Sequence, residues 1–266
     1  MTHSVEYGLH VLAFGPHPDD VELFCGGLMI RMAELGYRTG VVDLTRGEKS
    51  SRGTPETRAA ETDAATRVMG LAVRENLGLP DGWVDPMAGA HLTEEEREKH
   101  APVSRVVEVL RRLRPELVVI PWERERHPDH EASSAVLTRA LYFSSVRKFA
   151  ALPGSEPFTP RQVLLYPMRH LGEPTFVVDV SSVHARKMEA IRCYASQVQP
   201  RADAPVTLVG SQLSLSSLEA RDQFYGAQIG VSHGEPYIIR EVPGLADPVD
   251  HFRRNSFARP LFFPGR

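Results

Sequence analysis

Residues 9–20 read Leu9-His10-Val11-Leu12-Ala13-Phe14-Gly15-Pro16-His17-Pro18-Asp19-Asp20. A short apolar run over residues 9–14 that stops at Gly-Pro predicts a strand ending in a sharp turn. Just downstream, residues 23–35 carry Leu28, Met32 and Leu35 at helical spacing. The same alternation continues outward from this stretch. Residues 39–45 (TGVVDLT) predict a second strand, and residues 55–69 a helix with Pro55 in its first turn. Thr93-x-x-Glu96 has the form of a capping box, and Val103, Val106, Val107, Leu110 and Leu113 recur on one face up to Arg114-Pro115. Residues 117–120 (LVVI) are continuously apolar, as in a strand buried on both faces, and a helix is expected from Asp129 to about Phe149. Strand–helix alternation of this kind predicts an α/β fold, a mostly parallel sheet covered by helices on both faces.

The second half is less regular. Residues 162–166 and 175–180 read as strands, 181–196 and 215–230 as helices, and 200–205 as a loop or flap. No internal repeat or clear linker divides the chain, so residues 1–266 are read as one domain. Its 266 residues carry 31 Lys+Arg against 34 Asp+Glu, a formal charge of −3 that argues against a general nucleic-acid binder. Two cysteines, Cys25 and Cys193, cannot build a disulfide framework, and a reducing cytoplasm is the simplest setting. No apolar run approaches the ~18 residues of a membrane span, and residues 1–8 lack the pattern of an export signal.

Two short segments carry chemistry. His17-Pro18-Asp19-Asp20 follows the first strand, and His127-Pro128-Asp129-His130 follows the 117–120 strand. In a doubly wound sheet the carboxyl ends of strands border the ligand crevice, so the two loops can face one another. His17 and Asp20 are three apart, as are His127 and His130, which puts each pair on one face of a helix start. One imidazole and one carboxylate from the first loop and one imidazole from the second make a 2-His-1-carboxylate set. Such a set suits zinc, with Fe2+ or another divalent metal as the alternative, and leaves a position open for water or substrate. Asp19 is then free to act as general base. His127 is free to stabilise an oxyanion or protonate a leaving amine, and Asp129 to orient His127. A single HPD is explained by an aspartate capping a helix; two copies, each after a buried-strand pattern, weaken that explanation.

The pair HPDD and HPDH, with residues 14–23 (FGPHPDDVEL), 25–27 (CGG), 43–48 (DLTRGE), 52–54 (RGT), 76–82 (NLGLPDG), 194–197 (YASQ) and 229–230 (IG), resembles the LmbE-like/PIG-L superfamily of zinc-dependent N-acetylglucosaminyl deacetylases. The stretches between the metal motifs resemble the bacillithiol-biosynthesis branch, the BshB type. The resemblance implies a Rossmann-like three-layer α/β/α fold and hydrolysis of an acetamide by a water activated at the metal, with GlcNAc-malate as substrate; other N-acetylglucosaminides, mycothiol-type conjugates and a small diacetylated sugar are the alternatives within the hydrolases. It implies His17, Asp20 and His130 as metal ligands, Asp19 as base, His127 at the oxyanion and Arg58 on sugar hydroxyls. Much of the superfamily has Glu directly after the paired aspartates; here Val21 intervenes before Glu22, which is left out of the site. A homo-oligomer, trimer or hexamer, is also implied, and the aromatic tail (Phe252, Phe257, Phe262, Phe263) is compatible with one.

Weaker signals surround these. Arg46, Lys49 and Arg52 form a basic loop that reads either as a clamp for malate carboxylates or as a solvated loop. Tyr194 and Gln197 are candidate sugar contacts, Tyr194 equally a core residue on a helix face, and Asp81 reads as a turn residue in preference to a contact to sugar hydroxyls. Two rivals of other classes stand beside the deacetylase. A non-haem Fe(II) oxygenase uses the same ligand set. A nucleotide-binding module would need a G-x-G-x-x-G after the first strand, where His-Pro stands instead.

Overall fold

The computed structural model describes residues 7–88, 93, 96, 101–149, 155–199 and 214–254. Strand β1 (Leu9–Gly15) passes through the His-Pro-Asp turn into helix α1 (Asp20–Glu34). Then come β2 (Thr39–Thr45), α2 (Pro55–Met69) and β3 (Val73–Leu79). Helix α3 (Pro102–Leu113) leads into β4 (Pro115–Pro121), α4 (Pro128–Ser144) and β5 (Gln162–Tyr166). The remainder is β6 (Phe176–Asp179), α5 (His184–Cys193), the single turn α6 (Ala195–Val198), α7 (Ser214–Gln228), β7 (Gly234–Tyr237) and α8 (Pro248–Arg254).

The five-stranded sheet runs β3-β2-β1-β4-β5, and every pair in it is parallel. The chain moves outward from β1 to β3 and then crosses back to place β4 on the other side of β1. That reversal between β1 and β4 is the topological switch point, where a crevice opens at the strands' carboxyl ends. Both HPD motifs lie there. Alternating side chains serve two cores: Val11 and Ala13 pack with α1 and α5, while Leu12 and Phe14 pack with α3 and α4. The result is the expected α/β/α layering. A small antiparallel pair, β6 and β7, stands apart from the sheet, and an antiparallel bridge from Leu165 to Ile238 covers the β5 edge.

Element boundaries differ from the sequence reading where polar groups are internal. Helix α1 starts at Asp20 rather than at residue 23, because its first turn hides the polar Asp20 and Glu22 together with Val21, and the two carboxylates break the apolar pattern. It also breaks at Cys25 (φ −141°, ψ 15°). The backbone N–H groups freed by the break, those of Gly27 and Leu28, donate to the Glu235 carboxylate at 2.8 and 2.7 Å. A Cβ on Gly27 would lie 2.8 Å from that carboxylate, so glycine is required. Helix α4 stops at Ser144 rather than near Phe149. Arg111 from α3 donates to the carbonyls of Phe143, Ser144 and Val146, which satisfies the helix end there. The helix expected over 181–196 begins at His184 and is interrupted at Tyr194. Strands β3 and β7 have no counterpart in the sequence reading. The loop expected at 200–205, and Phe257, Phe262 and Phe263, lie outside the described residues.

Candidate metal centre

Each HPD motif is the N-terminus of a helix at the switch point. In α4, His127 is the N-cap: its Nδ1 accepts the Asp129 backbone N–H at 3.2 Å, with Pro128 as first helical residue. Helical spacing then brings His130 inward. In α1, Asp19 holds the N-cap position at φ 119° and makes no side-chain cap. Its carboxylate is turned to Arg58 of α2 instead (Nη1 to Oδ2, 3.2 Å). Gly47, at φ 63°, makes room for that guanidinium, since a Cβ there would meet Arg58 Nη2 at 3.0 Å.

Asp20 Oδ2 is the meeting point. It lies 3.2 Å from His17 Nδ1 and 3.3 Å from His130 Nε2, and accepts the His17 backbone N–H at 3.0 Å. Donor atoms of His17, Asp20 and His130 all fall within 4.8 Å of one another, as do those of His17, His127 and Asp129. Burial pushes the Asp20 carboxyl up, but His130 and His17 outweigh it and hold it well below its usual range. Burial likewise works to lower the two imidazoles; Asp20 and further carboxylates win, raising His130 to about 9 and His17 well above its ordinary value. An N2O donor set of this size fits zinc. Asp19 rises to about 7 through burial, opposed by Arg58. His127, exposed at the rim, is lowered by burial and by its imidazole neighbours.

Not every candidate stands where the sequence put it. The Asp129 carboxylate faces His17 (Oδ2 to Nε2, 3.3 Å), not His127, and is held by the amides of Gly82 and Val84. Tyr194 is fully buried. Its hydroxyl is shared among Glu22, Arg74 and Thr62, so it offers no surface to a sugar. Gln197 binds Ser50 and the Arg52 carbonyl, and the Arg52 guanidinium is turned onto the carbonyls of Gln197 and Gln199. These two fasten the basic loop. Lys49 stacks over Trp83, 5.1 Å from the ring centre. Arg46 and Arg58 do border a cavity of about 230 Å³, together with Pro18, Thr62, Arg74 and Asn76. Glu22 is buried on Arg74 (2.6 Å), away from His17 and His130.

Two carboxylates were missed. Asp81 Oδ1 lies 3.3 Å from His17 Nε2, although its Pro80-Asp81-Gly82 context reads as an ordinary turn. Glu125 Oε2 lies 3.7 Å from His130 Nδ1. Its position two residues before His127 was the available signal. Burial pushes both carboxyls up, and their hydrogen-bond partners bring both down to about 2. His184, read as unconnected with the metal, stacks on His233 beside Asp222.

Residues 12–141, which contain both motifs, match the family described as PIG-L, GlcNAc-PI de-N-acetylase. The solved structure of the conserved protein TT1542 from Thermus thermophilus is 36% identical, with a TM-score of 0.76, and the match covers 90% of this chain and 98% of that one. The 1D-myo-inositol 2-acetamido-2-deoxy-alpha-D-glucopyranoside deacetylase of Kineococcus radiotolerans is 26% identical over 74% of this chain and 71% of its own. A Bacillus cereus protein named as a probable N-acetyl-alpha-D-glucosaminyl L-malate deacetylase 2 is 25% identical over 71% and 84%. With its two HPD motifs at the switch point of a matching fold, the chain belongs to the PIG-L family.

Proposed function

We propose that the protein is a metal-dependent hydrolase that removes the acetyl group from an N-acetylglucosaminyl conjugate, with the malate glycoside as preferred substrate. The convergence of His17 and His130 on Asp20, with Asp19 kept beside them on Arg58, carries the reading. His17, Asp20 and His130 would hold the ion, and zinc suits their donors. When bound, it supplies Lewis acidity to the acetyl carbonyl and acidifies a water.

The chain's own groups divide the proton transfers. Arg58 occupies Asp19 Oδ2, which leaves Oδ1 to take a proton from the attacking water and return it to the leaving amine. In neutral His127, Nδ1 accepts the Asp129 amide, so the ring proton sits on Nε2 and can be donated to the oxyanion. The water oxygen bonds to the carbonyl carbon, the C–N bond breaks, and acetate and a free amine leave. Arg46 at the edge of the cavity beside Arg58 supports an anionic aglycone, since a guanidinium pairs bidentately with carboxylate.

Family membership favours hydrolysis over the oxygenase alternative. The inositol-conjugate relative supports a second reading, in which the aglycone is inositol. Metal-loaded protein offered GlcNAc-malate, GlcNAc-inositol and plain GlcNAc side by side, with amine release measured, decides between them. A large malate preference is expected. Preference for inositol moves the aglycone, and oxygen uptake without amine release from any of the three overturns the reading. We propose a trimer or hexamer in solution on the family resemblance, to be measured by light scattering, and a cytoplasmic setting on the two free cysteines. Among the described residues, no helix is long and apolar enough to cross a membrane.

A further inference from the structure

Both imidazoles that reach Asp20 have a carboxylate on the opposite ring nitrogen. Behind His17 stand two, Asp81 Oδ1 and Asp129 Oδ2, each 3.3 Å from Nε2. Behind His130 stands one, Glu125 Oε2, 3.7 Å from Nδ1. All three are fixed by main-chain amides. Asp81 Oδ2 accepts the Lys49 N–H at 2.7 Å, and Asp129 accepts those of Gly82 and Val84. Glu125 Oε1 accepts those of Arg169 and His170, just beyond β5, at 2.5 and 2.9 Å. Glu125 Oε2 and His130 Nδ1 are buried, face one another, and have no hydrogen-bond partner among the described residues. A closure of about 0.5–1 Å would bring the pair to hydrogen-bond distance, and buried polar groups left unpaired forfeit their hydration without return.

We propose that Glu125 is a positioning residue of the metal centre, fixing His130 with its proton on Nδ1 and its lone pair on Nε2, toward the cation. This rests on the metal reading above. A neutral imidazole has one N–H and one lone pair, so the nitrogen held by a carboxylate must carry the proton. Because Glu125 is tethered at its other oxygen, it cannot follow the ring, and the ring is aligned to it. His17 has two carboxylates behind it and can lose one. His130 depends on Glu125 alone among the described residues.

Glu125→Gln separates this role from a structural one. The Gln carbonyl oxygen still accepts the amides of Arg169 and His170. Its NH2 group, however, donates to His130 Nδ1, which forces the ring proton onto Nε2, where the cation binds. Zinc affinity, measured by competition with a chromophoric chelator at a temperature where the metal-free variant is folded, is expected to fall 10- to 100-fold. Glu123→Gln, at an exposed residue paired with Arg240, should leave the affinity as it was. In zinc-loaded wild type, 15N NMR should show His130 bound through Nε2 and protonated at Nδ1. Unchanged zinc affinity in Glu125→Gln, or coordination through Nδ1, overturns the proposal. If Glu125→Gln lowers the metal-free unfolding temperature, the wild-type NMR assignment decides. Wild type that takes up no zinc, or His130→Ala that takes it up equally well, overturns the metal reading itself and this proposal with it.

Discussion

At φ 119°, Asp19 occupies backbone space that residues with a Cβ rarely visit, at a cost of about 1–3 kcal/mol. The conformation turns its carboxylate away from the helix end it would otherwise cap and onto Arg58, one residue from Asp20. Asn tolerates the same backbone and keeps the shape, but cannot hold the transferred proton. Asp19→Asn should therefore fold and bind zinc as wild type does, while amine release slows by about 10²–10⁴-fold, the usual worth of a general acid–base. Full activity in that variant would remove Asp19 from the chemistry. At this scale the sequence was informative where a residue type and its spacing sufficed. The i, i+3 spacing paired His17 with Asp20 and His127 with His130, and the family resemblance singled out His130 from the second pair. Asp81 and Glu125 reach the imidazoles only through the tertiary fold, and their local context shows a turn and a charged loop.

Helix α1 depends on groups remote in sequence. Its break at Cys25 exposes amides that Glu235 of β7 receives, and Glu235 is held in turn by Lys187 of α5 (2.8 Å) and by Tyr237 (2.9 Å). Lys187 also reaches Asp222 of α7 at 2.6 Å, so one buried ammonium joins α5, α7 and β7. Burial pushes the Asp222 carboxyl up, but Lys187, His184 and Arg221 overcome it and lower it to about 2. A carboxyl lowered on folding stabilises above its unfolded value near 4, and the contribution is lost as pH falls through about 2. Asp222→Asn should therefore be less stable than wild type at pH 7, by at least on the order of 2 kcal/mol, and the gap should narrow as pH approaches 2. Urea unfolding at several pH values measures it; a gap that stays constant would count against the ion pair. None of this was legible beforehand. Gly234–Tyr237 contains glycine and proline, and β3 is a polar edge strand that binds Asp43 through Arg74, so neither shows an apolar run. Five strands were read correctly: β1, β2 and β4 are buried and apolar through most of their length, and β5 and β6, less buried, carry the apolar runs Val163-Leu164-Leu165 and Phe176-Val177-Val178, so there hydrophobicity defines the element.

For the whole molecule, the switch point makes one small site answer for the register of two halves. The loop after β1 and the loop after β4 meet through His17, Asp20, Asp129 and His130. A divalent ion bound between them would join segments more than a hundred residues apart and would have no equivalent site in the unfolded chain. Linkage then requires stabilisation of about 2.7 kcal/mol at a hundredfold excess of ion over its dissociation constant. For a chain of this size that corresponds to a rise of roughly 5–10 °C in unfolding temperature. Calorimetric scans with zinc and with a chelator should show that difference in wild type and lose it in His130→Ala, whose α4 retains its His127 cap and Pro128 start. Equal unfolding temperatures with and without chelator in wild type would mean that the two loops are held by their ion pairs alone.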